Sequence, residues 1–219
     1  MPAALRLEGQ LDKSAMQATL DRLVARHESL RTRFVAIDGV PYQHIDADRG
    51  FALSHEDLSG LSAGAREAAI AALAVEEAGA PFDLSAGPVI RGRLLTIAQD
   101  EHVLLLTQHH IVSDGWSLGV LVREVAALYT AFRRGEADPL PPLEIQYADY
   151  AQWQRTWLQG EELSRQVDFW KSHLSAAPAL LNLPLDRPRP AVQSHAGGTV
   201  PFALSPELTA NLRAFSQRH

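Results

Sequence analysis

The chain has 219 residues, no cysteine and a formal net charge of −6. Disulfides, thiolate metal sites and a cysteine nucleophile are therefore excluded, and the acidic balance disfavours a general nucleic-acid-binding protein, which usually has a basic face. No apolar run approaches the ~18 residues of a membrane span and no signal peptide is visible, so we expect a cytoplasmic protein with neither nucleic acid nor membrane as a partner.

Apolar periodicity and turn residues divide the chain into alternating strands and helices. Asp12 is a suitable cap for the first helix, as is Ser117 for a later one, and Asp38-Gly39 favours the tight turn of a hairpin. The predicted elements are a strand at 3–8, a helix at 12–27, hairpin strands at 31–37 and 40–45, a helix at 64–79, strands at 89–98 and 102–110, helices at 117–134, 146–159 and 161–175, a strand at 199–204 and a final helix from Pro206. This mixed order predicts an α/β sandwich.

The composition shifts between Pro178 and Gly198, where four prolines are followed by two adjacent glycines. Such a segment is typical of a linker between lobes. We therefore expect residues 1–177 to form one lobe, residues 178–198 to form a crossover, and residues 199–219 to begin a second lobe.

The most informative stretch is HHIVSDG, which runs from His109 to Gly115 and follows an apolar run. Successive side chains of a strand point to opposite faces, so only one of two adjacent strand histidines can face a cleft. This disfavours a metal centre built from the pair, because two ligands of one ion must converge. A histidine in a cleft can act as a base near neutral pH; the competing interpretation is that both are ordinary packed histidines.

Asp114 and Gly115 complete this stretch. Asp114 could be the partner of the base, a second catalytic acid or one half of a structural ion pair, for which arginine is the strong bidentate partner. Gly115, which we expect at the strand end, allows backbone conformations closed to other residues and a close approach of substrate. An ordinary turn glycine is the alternative.

Three ordered motifs resemble those of one family. Residues 109–117 (HHIVSDGWS) resemble the core motif of condensation domains from nonribosomal peptide synthetases. Residues 26–34 resemble the upstream motif of that family and residues 147–153 its downstream motif, while residues 82–88 and 186–190 also resemble family stretches. The resemblance extends over essentially the whole chain.

This resemblance implies a two-layer α/β sandwich related to chloramphenicol acetyltransferase, with two lobes that flank a tunnel. It also implies a partial chain: an N-terminal lobe truncated at its start, a crossover, and the beginning of a truncated C-terminal lobe. We accordingly expect the 219-residue piece to be inactive alone. The aromatic residues of the 146–159 helix are predicted to be lobe core rather than substrate contacts.

The resemblance also assigns roles to the site residues. It places His110 at the tunnel and His109 in the packing, and it gives the Gly115 amide a part in orienting the substrate. It makes Asp114 structural, held by an arginine, with Arg31 as the first candidate. Weaker candidates are Arg91 and Arg93, and the partner could also lie outside this chain.

The implied reaction is amide-bond formation. The amine of an acceptor aminoacyl thioester attacks the carbonyl of a donor thioester, and upstream and downstream carrier domains present both groups on 4′-phosphopantetheine. His110 is then a base, or it positions the amine and stabilises the intermediate. We expect no metal, no directly bound cofactor and a neighbouring adenylation domain. The alternatives are another acyltransferase of the superfamily, an epimerisation domain, or a non-catalytic docking module.

Overall fold

The structure is a computed structural model that describes residues 1–192, 197–198 and 200–218. The chain divides into two compact units, Met1–Val167 and Asp168–His219. The first unit contains the strands and the histidine motif. Within the described residues, no helix combines the length and apolarity needed to cross a bilayer.

The elements follow the predicted order closely. The strands are β1 (Pro2–Glu8), β2 (Thr32–Ile37), β3 (Val40–Ile45), β4 (Leu53–Asp57), β5 (Ile90–Ala98) and β6 (Glu101–Gln108). The helices are α1 (Lys13–Arg26), a short 3₁₀ helix (Glu28–Arg31), α2 (Ala63–Gly79), α3 (Gly115–Arg133), α4 (Tyr147–Trp157), α5 (Gly160–His173) and α6 (Pro206–Ser216).

Four strands form one sheet in the order β1-β6-β5-β4. β6 is antiparallel to both of its neighbours, whereas β4 is parallel to β5. β2 and β3 form a separate hairpin. Its turn places Asp38 at φ 52° and Gly39 at φ 79°, and two consecutive positive φ angles are the geometry that an Asp-Gly dipeptide favours.

The central strands β5 and β6 bury both of their faces, because side chains alternate along a strand. One face packs against α1 and α3, and the opposite face packs beneath α2. The buried strand residues of the first face are Ile90, Leu94, Leu104 and Leu106, and those of the second are Leu95, Ile97, Val103 and Leu105. β6 can therefore be a nearly continuous apolar run and still be a strand.

Two predictions need correction. β4 is absent from the predicted elements, because its sequence LSHED is mostly polar and exposed at the edge of the sheet. The predicted strand at 199–204 is wrong for residues 200–204, which pair with no strand in the described chain; residue 199 lies outside the described residues. Strands need such pairing to be stable.

Local capping explains where the flanking helices begin. Asp12 Oδ1 accepts a hydrogen bond from Ala15 N at 2.9 Å, and α1 starts one residue after this cap. Ser205 Oγ accepts from Leu208 N at 3.2 Å in front of α6. The sequence predicts the first helix from Asp12 and the last helix from Pro206, which follows the Ser205 cap. The lobe and crossover boundaries stay predictions.

Candidate functional site

Both histidines of the motif lie beyond the strand. β6 ends at Gln108. His109 N donates to Val89 O at 2.9 Å, and Val112 N donates to His109 O at 3.1 Å, which closes a turn. The predicted strand through His110 is therefore wrong, and it is the turn, not strand alternation, that separates the two rings.

His110 is exposed and lines a cavity of about 470 Å³. Its Nδ1 lies 2.8 Å from Ser113 O. A carbonyl oxygen only accepts, so Nδ1 donates its proton there and Nε2 of the neutral ring keeps a lone pair. No described residue hydrogen-bonds that Nε2. The turn thus holds the ring in the tautomer that can accept a proton at Nε2.

His109 is held in a different environment. Its half-buried ring packs edge-on against Phe82, with ring centroids 5.7 Å apart. Its Nδ1 accepts a hydrogen bond from Ile111 N at 3.0 Å. Among the described residues, no group of three or more His, Asp or Glu side chains could hold a metal ion.

Asp114 is the N-cap of α3. Its Oδ1 accepts hydrogen bonds from Ser117 Oγ at 2.7 Å and Ser117 N at 2.8 Å. These bonds hold the pKa of the Asp114 carboxyl below its ordinary value. The prediction that Ser117 is the cap is wrong, because Ser117 donates to a cap three residues before it.

Gly115 is the first residue of α3, and the prediction that it ends the strand is wrong. Its helical backbone is open to any residue, so the prediction of a conformation closed to other side chains is also wrong. A Cβ at this position would meet no heavy atom within 4 Å. Open space therefore lies beside the Cα of Gly115. The amide of this residue belongs to the first turn of a helix, where N–H groups lack intrahelical acceptors.

Arg31 is engaged away from Asp114. Its Nη1 donates to Asp46 O, and its Nη2 lies 3.5 Å from Glu28 Oε1. The prediction that Arg31 pairs with Asp114 is therefore wrong in the described structure. The reason is local: partners on its own 3₁₀ helix and at the end of the hairpin engage Nη1 and Nη2 of the guanidinium.

The two weaker arginine candidates are also engaged elsewhere. Arg91 Nε donates to Glu77 Oε1 at 2.8 Å, and Arg93 Nη2 donates to Glu76 Oε1 at 3.0 Å. Both pairs fasten β5 to α2. A brace for Asp114 from outside this chain stays a prediction.

A buried ion cluster joins α1 to α3, and sequence reasoning missed it. Arg26 Nε donates to Glu124 Oε1 at 3.1 Å, and His27 Nε2 lies 2.6 Å from Glu124 Oε2. Glu124 occupies the same stripe of α3 as the buried Leu121 and Leu128. A carboxylate on an apolar stripe is the signal that could have revealed the cluster.

The aromatic residues of α4 are exposed in the structure, so their prediction as core is wrong for the described chain. Tyr150, Trp153 and Trp157 are 42–55% exposed and form a run of neighbouring rings. Tyr147 is 55% exposed and lines the cavity of His110. The sequence motif 147–153 therefore contributes a residue to the candidate site.

The chain is similar to known proteins over its whole length. The family model described as "Condensation domain" matches residues 1–219. The chain is 50% identical over 220 residues to malpibaldin synthetase of Mortierella alpina, and 44% identical over 216 residues to the phosphinothricin tripeptide synthetase PhsC of Streptomyces viridochromogenes. These alignments cover 100% and 99% of the chain but only 4% and 20% of the relatives.

A solved structure is similar to the chain as well. It is the complex of the X-domain and OxyB from teicoplanin biosynthesis, which matches with a TM-score of 0.81 and 38% identity. The match covers 91% of this chain and 43% of the X-domain chain. The 219 residues thus correspond to less than half of that solved chain.

Proposed function

Because the chain belongs to the condensation-domain family, we propose that it contributes to amide-bond formation between two carrier-tethered thioesters in nonribosomal peptide synthesis. The family and the α/β fold class predicted from the motifs are confirmed. One observation carries the proposal: Nδ1 of His110 is bonded to Ser113 O, which leaves Nε2 available at the cavity wall.

The proposed step forms a C–N bond and breaks a C–S bond. The acceptor amine attacks the donor thioester carbonyl, and the resulting nitrogen must lose a proton. Nε2 of neutral His110 accepts that proton and returns it to the departing thiolate. General acid–base assistance of this kind contributes about 10²–10⁴-fold in enzymes. In the second role that we retain, the same ring positions the amine or stabilises the tetrahedral intermediate.

The neighbouring residues support this ring. We propose that the Gly115 amide orients the substrate, since it lies in the first turn of α3 and open space lies beside the Cα of this residue. Asp114 acts structurally, because its carboxylate caps the helix that follows the histidine turn. His109 acts in packing through its contact with Phe82. Arg31 holds the base of the hairpin through Asp46.

The substrates need partners to present them. A cavity of about 470 Å³ is within the usual range of small-molecule sites. We propose that 4′-phosphopantetheine arms of an upstream and a downstream carrier domain bring the thioesters to it, and that the domain binds no cofactor of its own. A neighbouring adenylation domain and a cytoplasmic location complete this proposal.

A non-catalytic docking module is the second candidate. The similar X-domain is solved in complex with another protein, OxyB. A docking module would bind partners without amide product and would not depend on the His110 ring. Epimerisation and acyl transfer to a soluble substrate are alternatives within the same superfamily. Epimerisation would yield no amide, and transfer to a soluble substrate would need no second carrier domain, so the product and the acceptor distinguish both from the proposed reaction.

The test is an acyl-transfer assay in the complete synthetase module, with two loaded carrier domains. His110→Ala is expected to reduce amide formation by about 10²–10⁴-fold, while the exposed position preserves folding. His55→Ala, which changes an exposed histidine of β4, is the matched control and keeps wild-type turnover. Undiminished product from His110→Ala contradicts the proposal, and binding without any turnover by the wild type favours docking.

A further inference from the structure

A second cavity of about 220 Å³ shares a wall with the cavity of His110. Four residues line both cavities: Ser29, Val112, Ser113 and Ser117. Much of the remaining lining is apolar and comes from Leu30, Trp116, Val120 and Leu121. None of the groups in the proposed reaction is assigned to this second cavity.

The shared wall contains a polar group without a partner. Ser113 is only 6% exposed, and its Oγ has no hydrogen-bond partner among the described residues. Buried hydroxyls are nearly always hydrogen-bonded, because burial removes the water that would otherwise bond them. The oxygen itself is sealed from solvent, so a rotation about the Cα–Cβ bond of Ser113 is needed to turn the hydroxyl toward a group that enters from either cavity.

The polar groups deeper in this cavity are already partly committed. His27 lines the cavity, but its Nε2 is 2.6 Å from Glu124 Oε2. Ser117 Oγ donates to the carboxylate of Asp114 at 2.7 Å. Ser29 and Gln108 also line this cavity, but of these polar residues only Ser113 has a side-chain atom that is both buried and without a partner among the described residues.

We propose that the second cavity holds the side chain of one of the two aminoacyl groups that meet at His110, and that the Ser113 hydroxyl favours a side chain with a polar group on an apolar body. This inference rests on the proposed function. The volume corresponds to about seven water molecules at ~30 Å³ each. An amino-acid side chain fits such a space, whereas a whole phosphopantetheine arm needs a longer channel.

Ser113 contributes both to the proposed side-chain cavity and to the orientation of His110. Its carbonyl oxygen accepts the Nδ1–H bond that orients His110, and its side chain lies on the wall of the adjoining cavity. A side chain bonded to Ser113 Oγ is therefore fixed relative to the imidazole that takes the proton. Substitution of the side chain leaves the carbonyl in place, so selectivity can be altered separately from the orientation of His110.

The first experiment removes the hydroxyl. Ser113→Ala in the complete module is assayed with matched threonine and valine thioesters, once as donors and once as acceptors. Because valine and threonine are close in shape, loss of the hydroxyl partner is expected to lower the threonine-to-valine ratio of kcat/KM about tenfold. The change occurs in one series, donor or acceptor, and identifies which group uses the cavity.

The second experiment fills the cavity. Val120→Phe is expected to lower kcat/KM for leucine relative to glycine about tenfold in the same series. Val122→Phe, on the same helix but outside this lining and 46% exposed, is the control and keeps all ratios. If Val120→Phe does not fold, Ser113→Ala, which only removes an oxygen atom, decides the question.

The outcomes separate the two proposals. If the wild-type module makes amide but neither variant changes any ratio, or both lower all substrates equally, the assignment of the cavity is wrong while the proposed function stands. If the wild-type module makes no amide with any pair of thioesters, the proposed function fails and this inference fails with it.

Discussion

Glu124 is the residue whose loss should most weaken the packing of α1 on α3. Its side chain is 11% exposed, and that of its partner Arg26 is 6% exposed. Glu124→Leu removes the acceptor for both Arg26 Nε and His27 Nε2. Arg26 then stays buried without the carboxylate that its Nε bonds, and keeps only its bond to Pro141 O and the electrostatic attraction of Asp138. Breaking one side of a buried ion pair costs about 3–5 kcal/mol, far above the value of a surface pair.

The assay is equilibrium unfolding in urea, carried out on the complete condensation domain. Domains are commonly stable by only about 5–15 kcal/mol, so the predicted loss should move the unfolding midpoint clearly. Glu101→Gln, which weakens the exposed ion pair with Arg6, is the matched control and should leave the midpoint unchanged.

A double variant tests the physical cause. Arg26→Met together with Glu124→Leu removes both charges and leaves two apolar side chains in the same space. We expect it to be more stable than Glu124→Leu alone, since the unpaired buried charge is gone. A loss below about 1 kcal/mol for Glu124→Leu, well short of the buried-pair range, would refute the reasoning. So would a double variant whose two effects simply add.

Three further predictions concern pH, packing and capping. Burial lowers the pKa of His102 below its usual 6.5, so the unfolded chain binds more protons than the folded chain as the pH falls below that value. The free energy of unfolding should therefore fall as pH drops through about 6.5. His102→Leu should flatten this dependence in urea titrations at several pH values. Gly92→Ala places a Cβ 2.9 Å from Leu106 Cδ2 and 3.0 Å from Phe51 Cζ. This overpacking should lower the free energy of unfolding in urea by about 1–3 kcal/mol. An unchanged midpoint would contradict this, because it would show that the neighbouring side chains move to accept the added methyl group. Asp114→Ala should lower the urea midpoint through loss of the cap, whereas Asp114→Asn retains an acceptor and should stay close to wild type; equal midpoints for the two variants would count against the capping role.

The parts of the fold that the sequence predicts are those set by local chemistry. Asp12 and Ser205 cap helices through bonds to residues three positions on. Asp38-Gly39 sets a turn through its own backbone angles. The sequence does not predict β4, because the residues of this strand are mostly polar. The strand forms by parallel pairing with β5, in which Leu53 lies opposite Gly92. Such pairing over a long separation leaves no local pattern.

In the candidate site, too, the sequence predicts what local chemistry sets but not what depends on contacts between distant segments. The motif predicts His110 and Asp114 as residues of the site. The end of β6 depends on the bond from His109 N to Val89 O, and that bond joins segments distant in sequence. Arg31 illustrates a second limit, because residue type suggests an ion pair but the fold decides which carboxylate lies near. Helix capping could have been predicted for Asp114, since Asp is a preferred N-cap residue and the residue stands directly before a helix.

The tautomer of His110 is the measurement that tests the account most directly. Nitrogen-15 NMR of the complete condensation domain, with the ring neutral and assigned by comparison with His110→Gln, distinguishes a protonated Nδ1 from a protonated Nε2. The bond to Ser113 O predicts the proton on Nδ1 and a free lone pair on Nε2. A proton on Nε2 would contradict the account, because the ring would then have no free lone pair at that nitrogen with which to accept a proton from the attacking amine.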